Sequence, residues 1–241
     1  MTFKLPFYFK IRLELIIAGI ISGWLFCGMG EARQTGRGIL RGKVMVSVAG
    51  DPTEELLRER VLTRYEAHGA TSREQVRPYN LSEKAVVYIE SATIPEMQVD
   101  SVAPHPQLNQ SQMLFHPLVL PVMVGTTVDF PNNDNLFHNV FSYSQPKEFD
   151  LGRYPRGKIK SVLFDKPGVV KIYCDIHSYM YALVLVLENP YFAVPDDDGN
   201  FQLNDIPPGT YKLCLWYGRK KAETKTVLVE EGKTTVVNFE Y

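Results

Sequence analysis

Between Val169 and Leu187 the chain reads VVKIYCDIHSYMYALVLVL, and the spacing of its apolar positions changes halfway. Val170, Ile172 and Cys174 alternate with Lys171 and Tyr173, the period-two pattern of a strand with one buried face. From Ala182 the alternation gives way to a continuous apolar run, as in a strand covered on both faces, so a tight loop must join the two. Strands are also predicted at 38–48, at 82–90 and over 113–130, where Gly125 marks a turn ahead of Val128 and Phe130. Another is predicted around Tyr211, Leu213 and Leu215, which share a face. Leu57, Val61 and Tyr65 recur four apart instead. Asp51-Pro52-Thr53-Glu54 before them supplies an N-cap at Asp51 and an acid at N3, and Gly69 a stop, which predicts an amphipathic helix near 52–68. Prolines at 95, 104 and 106 make 91–110 an irregular connection. Pro146, Gly152, Pro155 and Gly157 do the same for 142–157. The chain reads as all-β with one helix.

Length and composition narrow this little. The 241 residues suffice for one large or two small domains, and 45% hydrophobic content is ordinary for a globular protein. With 26 basic and 27 acidic residues the net charge is −1, and no basic patch argues for nucleic acid. The N-terminus says more. Lys4, Lys10 and Arg12 precede an uncharged stretch from Leu15 to Gly30, and Gly30-Glu31-Ala32 fits a small-x-small cleavage site. Residues 1–32 therefore read as a secretory signal peptide, the apolar stretch being short of the roughly 20 residues a membrane span needs. That implies a periplasmic or otherwise exported protein, with membrane attachment only through an uncleaved signal anchor. Of the three cysteines, Cys27 leaves with the signal. A Cys174–Cys214 disulfide is disfavoured because Cys174 has a use of its own, whereas Cys214 sits mid-strand as a small buried residue.

Cys174, His177 and Met180, each separated from the next by two residues, stand in the loop between the paired strands. A thiolate, an imidazole and a thioether converging on one point suit copper better than zinc, which has little use for Met. The trigonal copper site wants a second imidazole, and His138, in NDNLFHNVF, is the obvious donor. The other histidines read as structural: His68 in the last helical turn, His105 between prolines at the surface, His116 at a strand start. Asp196, Asp197 and Asp198 read as a hairpin turn, since no glutamate closes a calcium loop behind them.

Phe-Pro-Asn-Asn-Asp and His-Asn-Val-Phe within 130–141, followed by Tyr-Cys-x-x-His-x-x-Met at 173–180, resemble the cupredoxin family of blue copper proteins, with the short form of the Cys loop. The resemblance implies a Greek-key β-sandwich over about 108–188 that holds one type 1 copper ion. By the same resemblance His138, Cys174 and His177 are equatorial ligands, Met180 is axial, and Asn139 steadies the Cys loop by hydrogen bonding. From Tyr191 the character changes. An acidic turn, Gly-x-Phe and then Pro-Pro-Gly-Thr-Tyr resemble the carboxypeptidase regulatory-like, transthyretin-type sandwich, non-catalytic in its relatives, over 189–241. That module lacks its first strands unless 36–92 supplies them, which would make the copper domain an insertion; the alternative assigns the early strands to the cupredoxin. The function implied is transfer of single electrons between redox partners such as a cytochrome or dehydrogenase. With one ligand set and no second His cluster, no enzymatic activity is expected. Copper storage or delivery, and a metal-free extracellular interaction scaffold, are the rival readings.

Overall fold

The computed structural model describes residues 36–46, 80–90 and 104–241. Residues 1–32, read from the sequence as a signal peptide, and the helix predicted near 52–68 lie outside the described residues. Strand β1 (Gly38–Met45) is followed by one helical turn, α1 (Leu81–Lys84), which leads directly into β2 (Ala85–Glu90). The turn takes the first residues of a segment that its apolar pattern had assigned to strand, because the Asn80 N–H donates to the Glu83 carboxylate at 3.0 Å and caps it. Nine strands come next: β3 (Asn109–Ser111), β4 (Leu114–His116), β5 (Val119–Met123), β6 (Thr126–Pro131), β7 (His138–Ser144), β8 (Lys147–Tyr154), β9 (Ile159–Phe164), β10 (Gly168–Tyr173) and β11 (Tyr181–Leu187). The chain closes with β12 (Phe192–Ala193), β13 (Asn200–Ile206), β14 (Gly209–Tyr217), β15 (Lys220–Val229), β16 (Thr234–Val236) and β17 (Phe239–Glu240). The protein is all-β, as its alternating patterns required.

The central strands form a five-stranded sheet in the order β5-β11-β10-β7-β8, which packs on the β6–β9 pair. Between them lies a core of Val128, Phe130, Val140, Phe164, Val170, Ile172, Ala182, Val184 and Val186, with Cys174 and Met180 at one end. A second sandwich sits beside it. There β1 pairs with β13, β16 and β17, while β2 pairs with β12 and β14, so strands from before residue 91 are hydrogen-bonded to strands from after residue 191. Leu40, Val87, Ile89, Phe201, Leu213, Leu215 and Phe239 fill its core. Close approach explains one glycine there: a Cβ on Gly42 would stand 1.6 Å from the Val237 carbonyl oxygen.

β11 is buried on both faces, as its unbroken apolar run predicted. Ala182, Val184 and Val186 point into the first core, whereas Leu183, Leu185 and Leu187 meet Val86, Tyr88, Cys214 and Trp216 of the second sandwich. Each such leucine contributes about 1.5–3 kcal/mol by leaving water, so the strand leaving the metal loop is held from two sides. The stretch 142–157, expected to be an irregular connection, instead contains β8. Phe149 and Leu151 pack on the core and alternate with Glu148 and Asp150, and Gly152, at φ +62°, is accommodated within the strand. As the edge of its sheet, β8 tolerates an irregularity that a central strand would not.

Candidate metal centre

His138 opens β7, Cys174 directly follows β10, and the loop from Cys174 to Met180 folds back over both, closed by a hydrogen bond from the Met180 N–H to the His177 carbonyl at 2.9 Å. The three strongest donors converge. Nδ1 of His138 lies 3.0 Å from Nδ1 of His177, and the Cys174 sulfur stands 4.0 and 3.8 Å from these two nitrogens. A point in the plane of that triangle is about 2.1 Å from all three atoms, matching bond lengths of about 2.0–2.1 Å to imidazole and approaching 2.3 Å to thiolate. The residues present therefore fit a single metal ion. Among the described residues this is the one group of three such donors. All three are buried, His138 completely. Met180 is fully buried in the same core as Cys174.

The atoms behind the donors fix their protonation. Nε2 of His138 lies 2.8 Å from an Asp134 carboxylate oxygen, so the ring donates its Nε2–H there and turns Nδ1 towards the centre, where its lone pair would serve a metal once the ring is neutral. The Asp134 carboxylate also accepts the N–H groups of Gln112 and Met113 at 2.6 and 2.7 Å. Both donors have left-handed backbones (φ +55° and +57°), a conformation non-glycine residues adopt at a cost and that aims two successive N–H groups at one anion. Tyr179 of the loop reaches the same turn, its hydroxyl donating to the Met113 sulfur at 3.2 Å. The β3–β4 turn thus braces the centre behind His138 and beside the loop.

Burial pushes the Cys174 thiol up, but the neighbouring His138 and His177 rings and the N–H groups of Asn139 and His177 outweigh it and bring the thiol down to about 6. Burial works against a charged His138 too, yet the bond to Asp134 and the adjacent Cys174 sulfur raise it to about 9. Asp134 stays below the usual carboxylate range: burial raises it, and the bonds from His138, Met113 and Gln112 more than offset that. In the metal-free protein the centre is accordingly a thiolate beside an imidazolium.

Of the residues singled out in the sequence, His138, Cys174 and His177 come together, and Met180 lies in the core at the loop's end. Asn139 reaches the Cys loop through its backbone and not its side chain. Its side-chain amide donates to Asp150 on β8 at 2.6 Å rather than to the Cys loop, its carbonyl oxygen is buried without a hydrogen bond, and its backbone N–H serves the Cys174 sulfur. His105 bonds Asp129 at the surface, and His116 bonds Glu83. Asp134, Gln112, Met113 and Tyr179 escaped the sequence reading. The signal for Asp134 was its place four residues before His138, which carries meaning only once the turn between them is known.

No protein-family model matches the chain, and neither does any curated protein sequence. Solved structures do show similarity. One is a copper-containing nitrite reductase from Thermus scotoductus, 25% identical over 42% of this chain and 26% of the other, with a TM-score of 0.35. Another is a purple cupredoxin from Nitrosopumilus maritimus, 29% identical over 34% of this chain and 99% of the other, with a TM-score of 0.31. A third is a copper(I) form of an amicyanin variant, 21% identical over 42% of this chain and 98% of the other, with a TM-score of 0.33. The chain thus spans about a quarter of the nitrite reductase and nearly the whole of the two small proteins. At these TM-scores the chemistry of the centre has to rest on its own geometry.

Proposed function

We propose that this chain is an exported type 1 copper protein that passes single electrons between redox partners. The triangle formed by two imidazole nitrogens and one thiolate, with Met180 buried beside it, carries the reading. Two nitrogens and a thiolate with a thioether nearby form a donor set between the preferences of Cu(I) and Cu(II), and a bound copper ion would supply one-electron chemistry with little rearrangement. The chain's own residues do the rest. Asp134 keeps His138 in the tautomer that offers Nδ1, while β10 and β11 hold both ends of the loop. The apolar core under Cys174 and Met180 keeps water out. We assign the protein no reaction of its own and place the partners, redox proteins such as a cytochrome or a dehydrogenase, in the periplasm. The second sandwich, which resembles the transthyretin type, is a non-catalytic module into which the copper domain is inserted. Repeated reduction and reoxidation of the copper-loaded protein, followed by metal analysis, tests this. Full recovery over many cycles with one copper retained is expected, and progressive loss of copper on reduction would mark a delivery protein instead.

A further inference from the structure

Beside the metal loop, the second sandwich presents a charged hairpin tip. β14 and β15 turn at Gly218 and Arg219, and the turn is pinned on two sides. Gly218, at φ +57°, donates its N–H to the Lys84 carbonyl at 2.9 Å, and the Trp216 indole N–H donates to the Gly218 carbonyl at 2.9 Å. The Arg219 guanidinium lies 4.3 Å from the ring centroid of Tyr181. Tyr181 is the residue after Met180, and it pairs across the sheet with Tyr173, the residue before Cys174, their rings 5.4 Å apart. The tip is therefore laid against β11, whose Tyr181 in turn rests on Tyr173 of β10.

Its charge is uncompensated. Arg219 and Lys220 are exposed, and among the described residues neither is paired with a carboxylate; Lys220 lies 5.5 Å from the ring centroid of Tyr241. Two other charged pairs are matched: Lys221 bonds Glu90, and Asp175, next to Cys174, bonds Arg153. An arginine laid over an aromatic ring retains its N–H donors for a carboxylate, and two fixed cations raise the encounter rate of an anionic partner.

We propose that the β14–β15 tip is an electrostatic landing site for the acidic face of an electron-exchange partner, held by the second sandwich at the exit of the metal loop. This inference rests on the electron-transfer reading of the centre, so its test needs one readout that is independent of copper. In the first, metal-free protein labelled with nitrogen-15 is titrated with hexacyanochromate(III), a redox-inert paramagnetic trianion. Broadening of amide signals centred on 217–221 and 180–182, abolished in an Arg219→Glu/Lys220→Glu variant, is expected. Broadening centred elsewhere, for instance on Lys212 or Lys225, overturns the proposal. In the second, the copper(I) protein is oxidised by hexacyanoferrate(III), one electron passing from Cu(I) to Fe(III). The double variant should react about tenfold more slowly at low ionic strength and converge with the wild type near 1 M salt, where the screening length is about 3 Å. A cationic oxidant, tris(phenanthroline)cobalt(III), should speed up in the same variant. Equal slowing with both oxidants, or a gap that persists in high salt, overturns the landing site. Failure of both proteins to take up copper contradicts the centre's function instead, and the first readout still decides the tip.

Discussion

Cys174 and Cys214 are both free thiols, 4% and 0% exposed, on neighbouring sheets of one chain, yet their surroundings give them different chemistry. Cys174 lies just past a strand end, where the following loop brings the His177 ring, and the start of the neighbouring β7 the His138 ring, to within 4 Å of the sulfur. Cys214 lies in the middle of β14, where the sheet dictates its neighbours: the Thr224 hydroxyl at 3.4 Å and the apolar groups of Val86, Leu183 and Trp216. Burial alone penalises a thiolate. Position at a strand end, not burial, is what lets a core cysteine meet two imidazoles, because there a loop residue, His177, and the first residue of the neighbouring strand, His138, can converge on it.

Several substitutions would break or sharpen that contrast, and the largest effect belongs to the centre itself. His138→Ala removes a donor and leaves Asp134 facing a hole, so copper affinity, read by competition with a chelator, should fall by more than the roughly 10–100-fold that loss of an outer partner costs. Asp134→Ala leaves His138, Cys174, His177 and Met180 in place and frees the His138 tautomer; affinity should fall within that 10–100-fold range. An unchanged affinity would show that the β3–β4 turn does not brace the centre. Proton linkage comes next. With the thiol at about 6 and His138 at about 9, the metal-free pair carries a thiolate and an imidazolium between those values, and a metal needs the imidazole neutral. The raised His138 must therefore lose one proton on binding. Affinity should rise about tenfold per pH unit from pH 6 to 9, more steeply below 6 where the thiol is protonated too, and level off above 9. The smallest effect is assigned to Cys214→Ser. It buries a hydroxyl where a weakly polar thiol packed, lowering stability in denaturant by about 1–3 kcal/mol and leaving copper binding untouched.

How far the sequence revealed all this follows from which interactions are local. The change from alternation to a continuous run at Ala182 made β11 legible as a doubly covered strand, and donors at every third position made the Cys loop legible as a site. β8 was not legible, because Pro146 and Gly152 are turn residues in most settings and only its place at a sheet edge lets Phe149 and Leu151 keep a strand between them. Nor was the support behind His138. Asp134 is held by amides of a turn more than twenty residues upstream, whose left-handed residues Gln112 and Met113 carry no glycine or asparagine to announce it. Arg219 reaches Tyr181 from a different sandwich altogether, and periodicity says nothing about which strands become neighbours.

The most direct measurement compares three purified proteins, the wild type, Cys174→Ser and Cys214→Ser, each given one equivalent of Cu(II) and read by visible absorption. An intense thiolate-to-copper charge-transfer band in the wild type and in Cys214→Ser, absent from Cys174→Ser, is the expected result. A colourless wild type, or a band that survives in Cys174→Ser, would contradict a copper centre built on the strand-end thiolate.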